Sequence, residues 1–442
     1  MQLLTNVDDI LHPLRGTALR DTTIVDLMNL IAVCVVSGNV RRTAQIALGS
    51  PHSKDYLNLK NYKINPHRRS FGWTSNNSGF FFLFYVCMCV YTSKQNKNWV
   101  YLCAYLNGIY FFIWKVFAEL GMDYTDICER IRDNGEPGLC WLENMQQFGR
   151  MKDPVDKRDV YATGGAPYTA KYAYLYAKIV TLGDTPWDES NRVLHKNRRI
   201  GVSMSGLQQF VSKYGVDHLQ TFCDEAYAML KSLDQLTSQA WKINPSIKMT
   251  CIKPSGSISL LTGSTPGMHW PEASYYLRRV RIPKEAQGLV RPLMEANYPL
   301  EQAAEDENTL CVSFPVAVGD ERIKSIHDVS MREQLEMAAF LQRHWCDNQV
   351  SVTVTFDNDR EGVHLSNMLD EFQYKLKSVS FLPKFATQTT YPQMPYEAIT
   401  KQHYVQLLQA LKPLDFNKFS EAIDVDRDME PHKFCDKDSC QM

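Results

Sequence analysis

Residues 349–357 read QVSVTVTFD. Val350, Val352, Val354 and Phe356 alternate with Ser and Thr, and β-branched side chains fit a pleated, half-buried surface, so the run predicts a strand. IGVSMSGL at 200–207, TLCVSFPVAV at 309–318 and SVSFLP at 378–383 read the same way, and TAQIALG at 43–49 is a shorter, partly alternating example. Between these runs the apolar spacing changes to that of helices. DTTIVDLMNLIAVCVVSG, 21–38, starts at Thr22 or Thr23 as a cap and closes at Gly38. AELGMDYTDICERIRDNGEPG, 118–138, is amphipathic and stops at Asn134-Gly135; KYAYLYAKIVTLG, 171–183, and DHLQTFCDEAYAMLKSLDQ, 217–235, are two more. Strands alternating with helices predict an α/β fold around a largely parallel sheet or barrel.

At 442 residues the chain has length for one large or two to three ordinary domains. A net charge of -1 with 22% charged residues gives no general attraction for nucleic acid or anionic lipid. Asp8 and Asp9 stand where a signal peptide needs an apolar core, so a cytoplasmic address is expected. The 12 cysteines are scattered and form neither a small disulfide framework nor CxxC pairs, so no metal site is expected.

One segment does not match its surroundings. Between Phe80 and Lys115 about a third of the positions are Phe, Tyr or Trp, against 11% over the chain. A membrane-spanning helix takes about 20 apolar residues, whereas the run from Phe80 ends at Tyr91, before Thr92, Ser93 and Lys94. The second run, Trp99 to Val116, is long enough but carries Asn107 and Gly108 and lacks the Leu, Ala and Gly richness of packed membrane helices. FFFLFYVCMCVY alternates with neither period, so a soluble core element is not indicated either. Phe, Tyr, Lys, Asn, Cys and Ile are residues of A/T-rich codons, and residues 80–115 read as an unspliced insert. Residues 151–169, MKDPVDKRDVYATGGAPYT, read as loop, and the acidic tail after Asn417 as mobile.

Three motifs offer chemistry. KPSGSISLLTGSTPGMH, 253–269, places hydroxyls and free N–H groups at the start of an apolar run, which suits phosphate, although an ordinary Ser-capped helix after a Pro turn gives the same spacing. SGNVRR, 37–42, sets Arg41 and Arg42 on a Gly-containing loop that can hold phosphates or a base by bidentate bonds, and NRRIGVSMSG, 197–206, repeats the theme. FCDKDSC puts Cys435 and Cys440 in the tail, where two accessible thiols can exchange with a disulfide.

SGNVRRTAQIALG, FGWTSNNS, NGEPGLCWLENMQ, KYAYLYAKIVTL, NRRIGVSMSG, KPSGSISLLTGSTPGMH and NQVSVTVTFD together resemble, in order, the ribonucleotide reductases, and in particular the monomeric adenosylcobalamin-dependent (class II) ribonucleoside-triphosphate reductases. The resemblance covers most of 20–400 and the terminal Cys pair. It implies a ten-stranded α/β barrel, with 1–79 as its N-terminal part, 116–416 as its C-terminal part and 417–442 as a tail. It implies that Ser255, Gly256, Ser257 and Ile258 bind substrate phosphates, and that Asn39, Arg41 and Arg42 belong to a loop coupling deoxynucleotide effectors to substrate choice. In the family, cobalamin makes a thiyl radical on a Cys that abstracts the ribose 3′ hydrogen; two further Cys reduce the 2′ position, and the tail pair, here Cys435 and Cys440, reduces their disulfide and is recycled by thioredoxin.

The chain departs from that family at one decisive place. The radical Cys lies in an Asn-Pro-Cys-x-Glu loop between the GEPG segment and the YAYLYAK helix, and residues 151–170 contain no Cys. One of the two reducing Cys follows that loop in the family and is missing too. Cys34 and Cys140 lie in matched segments but away from the catalytic positions, and read as core thiols. A missing N-terminal part, the aromatic segment and a lost exon near 151–169 together point to a truncated or mis-spliced version and an incomplete barrel. Two other expectations stand beside the reductase: a catalytically dead nucleotide- or cobalamin-binding remnant, and a membrane-anchored protein using 80–116.

Overall fold

The structure, a computed structural model, describes residues 2–14, 17, 19–35, 45–49, 52–71, 87–88, 101–104, 114–155, 170–256, 258–304, 307–384 and 393–415. The chain divides into two compact units, 1–271 with 320–387, and 272–319 with 388–442.

In the larger unit the strands are β1 (Gln45–Gly49), β2 (Cys87–Met88), β3 (Tyr101–Ala104), β4 (Trp114–Ala118) and β5 (Gly138–Trp141). The smaller unit then contributes β6 (Tyr275–Pro283), β7 (Leu300–Gln302) and β8 (Thr309–Ala317), the larger unit β9 (Thr353–Asp357) and β10 (Ser378–Lys384), and the smaller one β11 (Tyr396–Ala398). Among the described residues the larger sheet runs β2-β3-β1-β4-β5-β10-β9. β1, β4 and β5 are mutually parallel, β9 and β10 are mutually parallel, and the two groups meet antiparallel where Ser378 pairs with Cys140. Beyond β9 the parallel direction continues through Ile252 beside Val350 and Val202 beside Thr250. Backbone bonds from Val202 N to Met249 O (2.7 Å) and from Ser351 N to Ile252 O (2.9 Å) hold these edges. The sheet is thus mixed rather than largely parallel. Strand alternation specifies which side chains face the core but not the direction of the chain.

Parallel neighbours need crossovers, and helices supply them. Thr125–Asn134 joins β4 to β5, Leu207–Tyr214 and Val216–Trp241 join the 202 edge to the 250 edge, and Leu365–Phe372 joins β9 to β10. The helix before β5 ends as its Asn134-Gly135 predicts. Gly135 takes φ 80° and its N–H bonds Ile131 O at 2.7 Å, while a Cβ there would lie 2.5 Å from Phe381 O. Only Gly fits both the left-handed turn and the close approach. The helix expected over 21–38 spans Asp21–Val35. Its start lies before the Thr22 or Thr23 cap: Ile24 N already bonds Arg20 O at 3.2 Å, and both threonines are buried in the first turn.

The core between sheet and helices holds Tyr124, Trp141, Trp345, Phe356, Leu369 and Phe381, with Phe356 and Phe381 edge-to-face at 6.2 Å. Each such side chain contributes about 1.5–3 kcal/mol on burial. Two buried lysines pin the segment after β5. Lys377 Nζ donates to Phe148 O (2.7 Å), Gly149 O (2.5 Å) and Asp347 O, and Lys248 Nζ donates to Met145 O. Burial, with Lys248 nearby, pushes the Lys377 ammonium well below its usual range, and the three carbonyls hold the charge.

In the smaller unit the sheet order is β11-β6-β8-β7, antiparallel throughout, so TLCVSFPVAV is a strand of this second sheet. Arg278 lies over the Tyr396 ring at 4.6 Å.

Within the aromatic segment, Tyr101–Ala104 pairs antiparallel with β1, and Trp114 and Lys115 pair with Ala47 and Leu48 in parallel. No helix among the described residues is long and apolar enough to cross a membrane. Residues 156–169 and the tail with Cys435 and Cys440 lie outside the described residues.

Candidate functional site

The PSGS segment leaves the sheet edge at Ile252 and enters a helix of one turn, Ile258–Leu261. A helix this short has almost no macrodipole, so what it offers an anion is the amide groups of its first turn. Ser255 sits at φ 45°, a left-handed conformation uncommon for a residue with a side chain. Four contacts hold it there. Its Oγ accepts from Gly267 N at 3.1 Å and shares a hydrogen bond with Ser205 Oγ; its carbonyl accepts from Ser259 N at 2.9 Å and Ser259 Oγ at 2.6 Å. Ser255 is buried, and its Oγ is engaged with Gly267 N and Ser205 Oγ.

Gly267 closes the turn. It has φ 55°, and a Cβ on it would collide with Lys253 O, so the TPG stretch returns against the start of the loop only because this residue is Gly. Lys253 N donates to Ser203 Oγ at 3.0 Å. Burial lowers the pKa of the Lys253 ammonium, and no carboxylate of a described residue pairs with it. The loop therefore carries at its base a lysine with no carboxylate partner among the described residues.

NRRIGVSMSG comes to the same place. Val202 is its only described residue bridged to a neighbouring edge, and the chain then turns rather than continuing as the expected strand to Gly206. Ser203 and Ser205 meet the PSGS loop, Gly206 N bonds Thr265 O at 2.8 Å, and Gln209 spans Gly263 O (2.8 Å) and Thr265 N (2.9 Å). Its arginines are structural: Arg198 bonds Thr181 O, and Arg199 bonds Asn348 Oδ1 at 2.9 Å.

Of the other expected site residues, Gly256 is in the loop and Ile258 opens the short helix, while Ser257, Asn39, Arg41, Arg42, Cys435 and Cys440 lie outside the described residues. Cys140 is buried, as a core thiol is, with Sγ 3.5 Å from Met145 Sδ. The six described free cysteines, at 128, 140, 223, 251, 311 and 346, are all buried. Burial pushes Cys128, Cys223 and Cys251 up to about 12 and Cys346 well above its usual value. No group of three or more His, Cys, Asp or Glu among the described residues is placed to hold a metal ion.

His269, at the end of the motif, went unnoticed in the sequence. Its Nδ1 lies 3.2 Å from Pro266 O, and its Nε2 accepts from Thr353 N at 3.4 Å. Those two bonds together require the neutral ring with the proton on Nδ1. Burial lowers its pKa from 6.5, and His344 is lowered likewise by burial against the opposing pull of Asp224. A histidine depressed in the folded state takes up its proton more readily when unfolded. Stability is therefore full above 6.5 and falls as pH drops from 6.5 towards the folded pKa. The thermal midpoint is expected to decline between pH 7 and 5.5, with a shallower slope in His269→Gln; equal slopes would show that His269 contributes nothing to it.

No family profile matches the chain. It is 44% identical over 470 positions to the probable adenosylcobalamin-dependent ribonucleoside-triphosphate reductase of Dictyostelium discoideum, covering 99% of this chain and 56% of that protein. It is 40% identical to the adenosylcobalamin-dependent ribonucleoside-triphosphate reductase of Euglena gracilis, covering 100% and 59%. The crystal structure of a B12-dependent (class II) ribonucleotide reductase superposes with a TM-score of 0.75 at 26% identity, covering 97% of this chain and 61% of that one. The chain thus spans a little under three fifths of the length of the two curated relatives. The 470 compared positions exceed its 442 residues, so those relatives carry residues inside the match that have no counterpart here. Over its whole length the chain is a homologue of the adenosylcobalamin-dependent ribonucleoside-triphosphate reductases.

Proposed function

We propose that this chain is the phosphate-binding part of a ribonucleoside-triphosphate reductase, and that as written it binds ribonucleoside triphosphates without reducing them. The observation that carries the reading is the PSGS loop, held in a left-handed turn beside the unpaired Lys253 ammonium. An anion there gains backbone amides and a half-buried lysine that has no carboxylate partner among the described residues. The family reaction is reduction of the substrate to a 2′-deoxyribonucleoside triphosphate, with deoxynucleotide effectors acting through Asn39, Arg41 and Arg42, thioredoxin recycling Cys435 and Cys440, and the cytoplasm as its place. The two parallel strand groups meeting antiparallel support the ten-stranded barrel that the resemblance implies. A lost exon near 151–169 and an insert at 80–115 are part of this reading, carried by the absence of a Cys from 151–170 and by the aromatic run.

Adenosylcobalamin is the cofactor in the relatives' names. When bound it supplies a radical to a thiol. The six cysteines whose side chains are described, at 128, 140, 223, 251, 311 and 346, are all buried, so none of them fits the accessible thiol this cofactor needs.

The test is calorimetric titration of the chain with ATP and with inorganic tripolyphosphate. Saturable ATP binding that tripolyphosphate competes away, and that Lys253→Met weakens at least roughly tenfold, is expected for a lost charge-assisted contact. Absence of ATP binding, or competition only by adenosine, would overturn the reading.

A further inference from the structure

We propose that Ser205 is a positioning residue for the phosphate loop, so that VSMSG, 202–206, acts as its second wall rather than as an ordinary sheet edge. The inference rests on the triphosphate-binding reading above. Ser205 is exposed, yet its hydroxyl bonds the buried Ser255 Oγ, the atom that also accepts from Gly267 N. Ser255 needs such support: at φ 45° a residue with a Cβ stays only where its surroundings hold it. Ser203 holds the start of the same loop through Lys253 N, and Gly206 N and the Gln209 amide fix the returning TGST turn through Thr265 and Gly263. Ser255 and the turn that returns to it are thus held before a ligand arrives, from a segment about 50 residues earlier in the chain. Ordering a loop in advance raises affinity by removing part of the entropy cost of binding.

Ser205 touches no phosphate in this account; it acts through Ser255. Its removal should therefore loosen the loop and weaken phosphate binding while leaving the core intact. For Ser205→Ala the expected result is roughly three- to tenfold weaker binding of tripolyphosphate and of ATP, the range of one net hydrogen bond. Adenosine affinity and the thermal midpoint should be unchanged, amide exchange over 253–269 should be faster, and Ser205→Thr should restore the wild-type values. If the wild-type chain shows no protection of 253–269 by tripolyphosphate, the site reading fails and this inference with it. If the wild type is protected but Ser205→Ala binds equally well, the inference alone is overturned. A lowered thermal midpoint with faster exchange spread across the larger unit would also overturn it, by making Ser205 a general structural residue.

Discussion

No 2′-deoxyribonucleoside triphosphate is expected when this chain is incubated with a ribonucleoside triphosphate, adenosylcobalamin and a dithiol: product should stay at the level of a control without protein. The reaction of the homologous family begins with hydrogen abstraction by a thiyl sulfur in contact with the ribose. The stretch where that Cys belongs, between Gly149 and Ala170, contains none. The six cysteines whose side chains the structure describes offer no substitute: all are buried, and burial raises the pKa of Cys128, Cys223, Cys251, Cys311 and Cys346. Binding groups tune a rate by a few kcal/mol, whereas loss of the atom that carries the radical removes the chemical step itself. The measurement is chromatographic detection of the deoxynucleotide over many hours. Product above the control would sink the proposal that the chain is inactive as written.

The sequence carried the local features and lost the ones made by folding. Gly135 was legible because a left-handed helix end is a property of one residue. The strands at 349–357 and 378–383 were legible because their alternation is local. That they run antiparallel to β4 and β5, with a mixed sheet as the result, was not, since strand direction depends on where the chain returns. In the site, PSGS stood out by composition, but the bonds from Ser255 Oγ to Ser205 and Gly267 leave no trace in the spacing. NRRIGVSMSG drew attention for its arginines, and its serines turned out to meet the loop. Lys178, Lys248 and Lys377 are buried in the fold, where the assembled structure brings them their carbonyls and, for Lys178, a carboxylate.

Lys178 gives the second large effect. Asp234→Ala is expected to destabilise the larger unit by about 3–5 kcal/mol, the cost of leaving one partner of a buried ion pair alone. Lys178 is fully buried in the helix Ala170–Val180, and its Nζ donates to Asp234 Oδ1 at 2.7 Å, Ser246 Oγ at 2.9 Å and Asn244 O at 3.1 Å. Asp234, in the helix Val216–Trp241, also accepts from Tyr174 OH at 2.9 Å and Ser246 N at 2.8 Å. The carboxylate therefore ties two helices and the turn before the 250 edge together through one residue. Burial lowers the Lys178 pKa in spite of Asp234, which places desolvation as the larger influence on the ammonium. Removing the carboxylate leaves that desolvation in place and takes away the attraction. Against a total stability of about 5–15 kcal/mol for an ordinary domain, the change consumes a large fraction. Replacing both partners, as Lys178→Met with Asp234→Leu, should recover much of the loss, because two apolar groups owe no solvation, although Tyr174 OH and Ser246 N lose an acceptor. Urea midpoints of the wild type, both single variants and the double variant form the cycle that checks this. A double variant as unstable as the sum of the singles would mean that the pair has no coupling, and that Asp234 acts through Tyr174 and Ser246 instead.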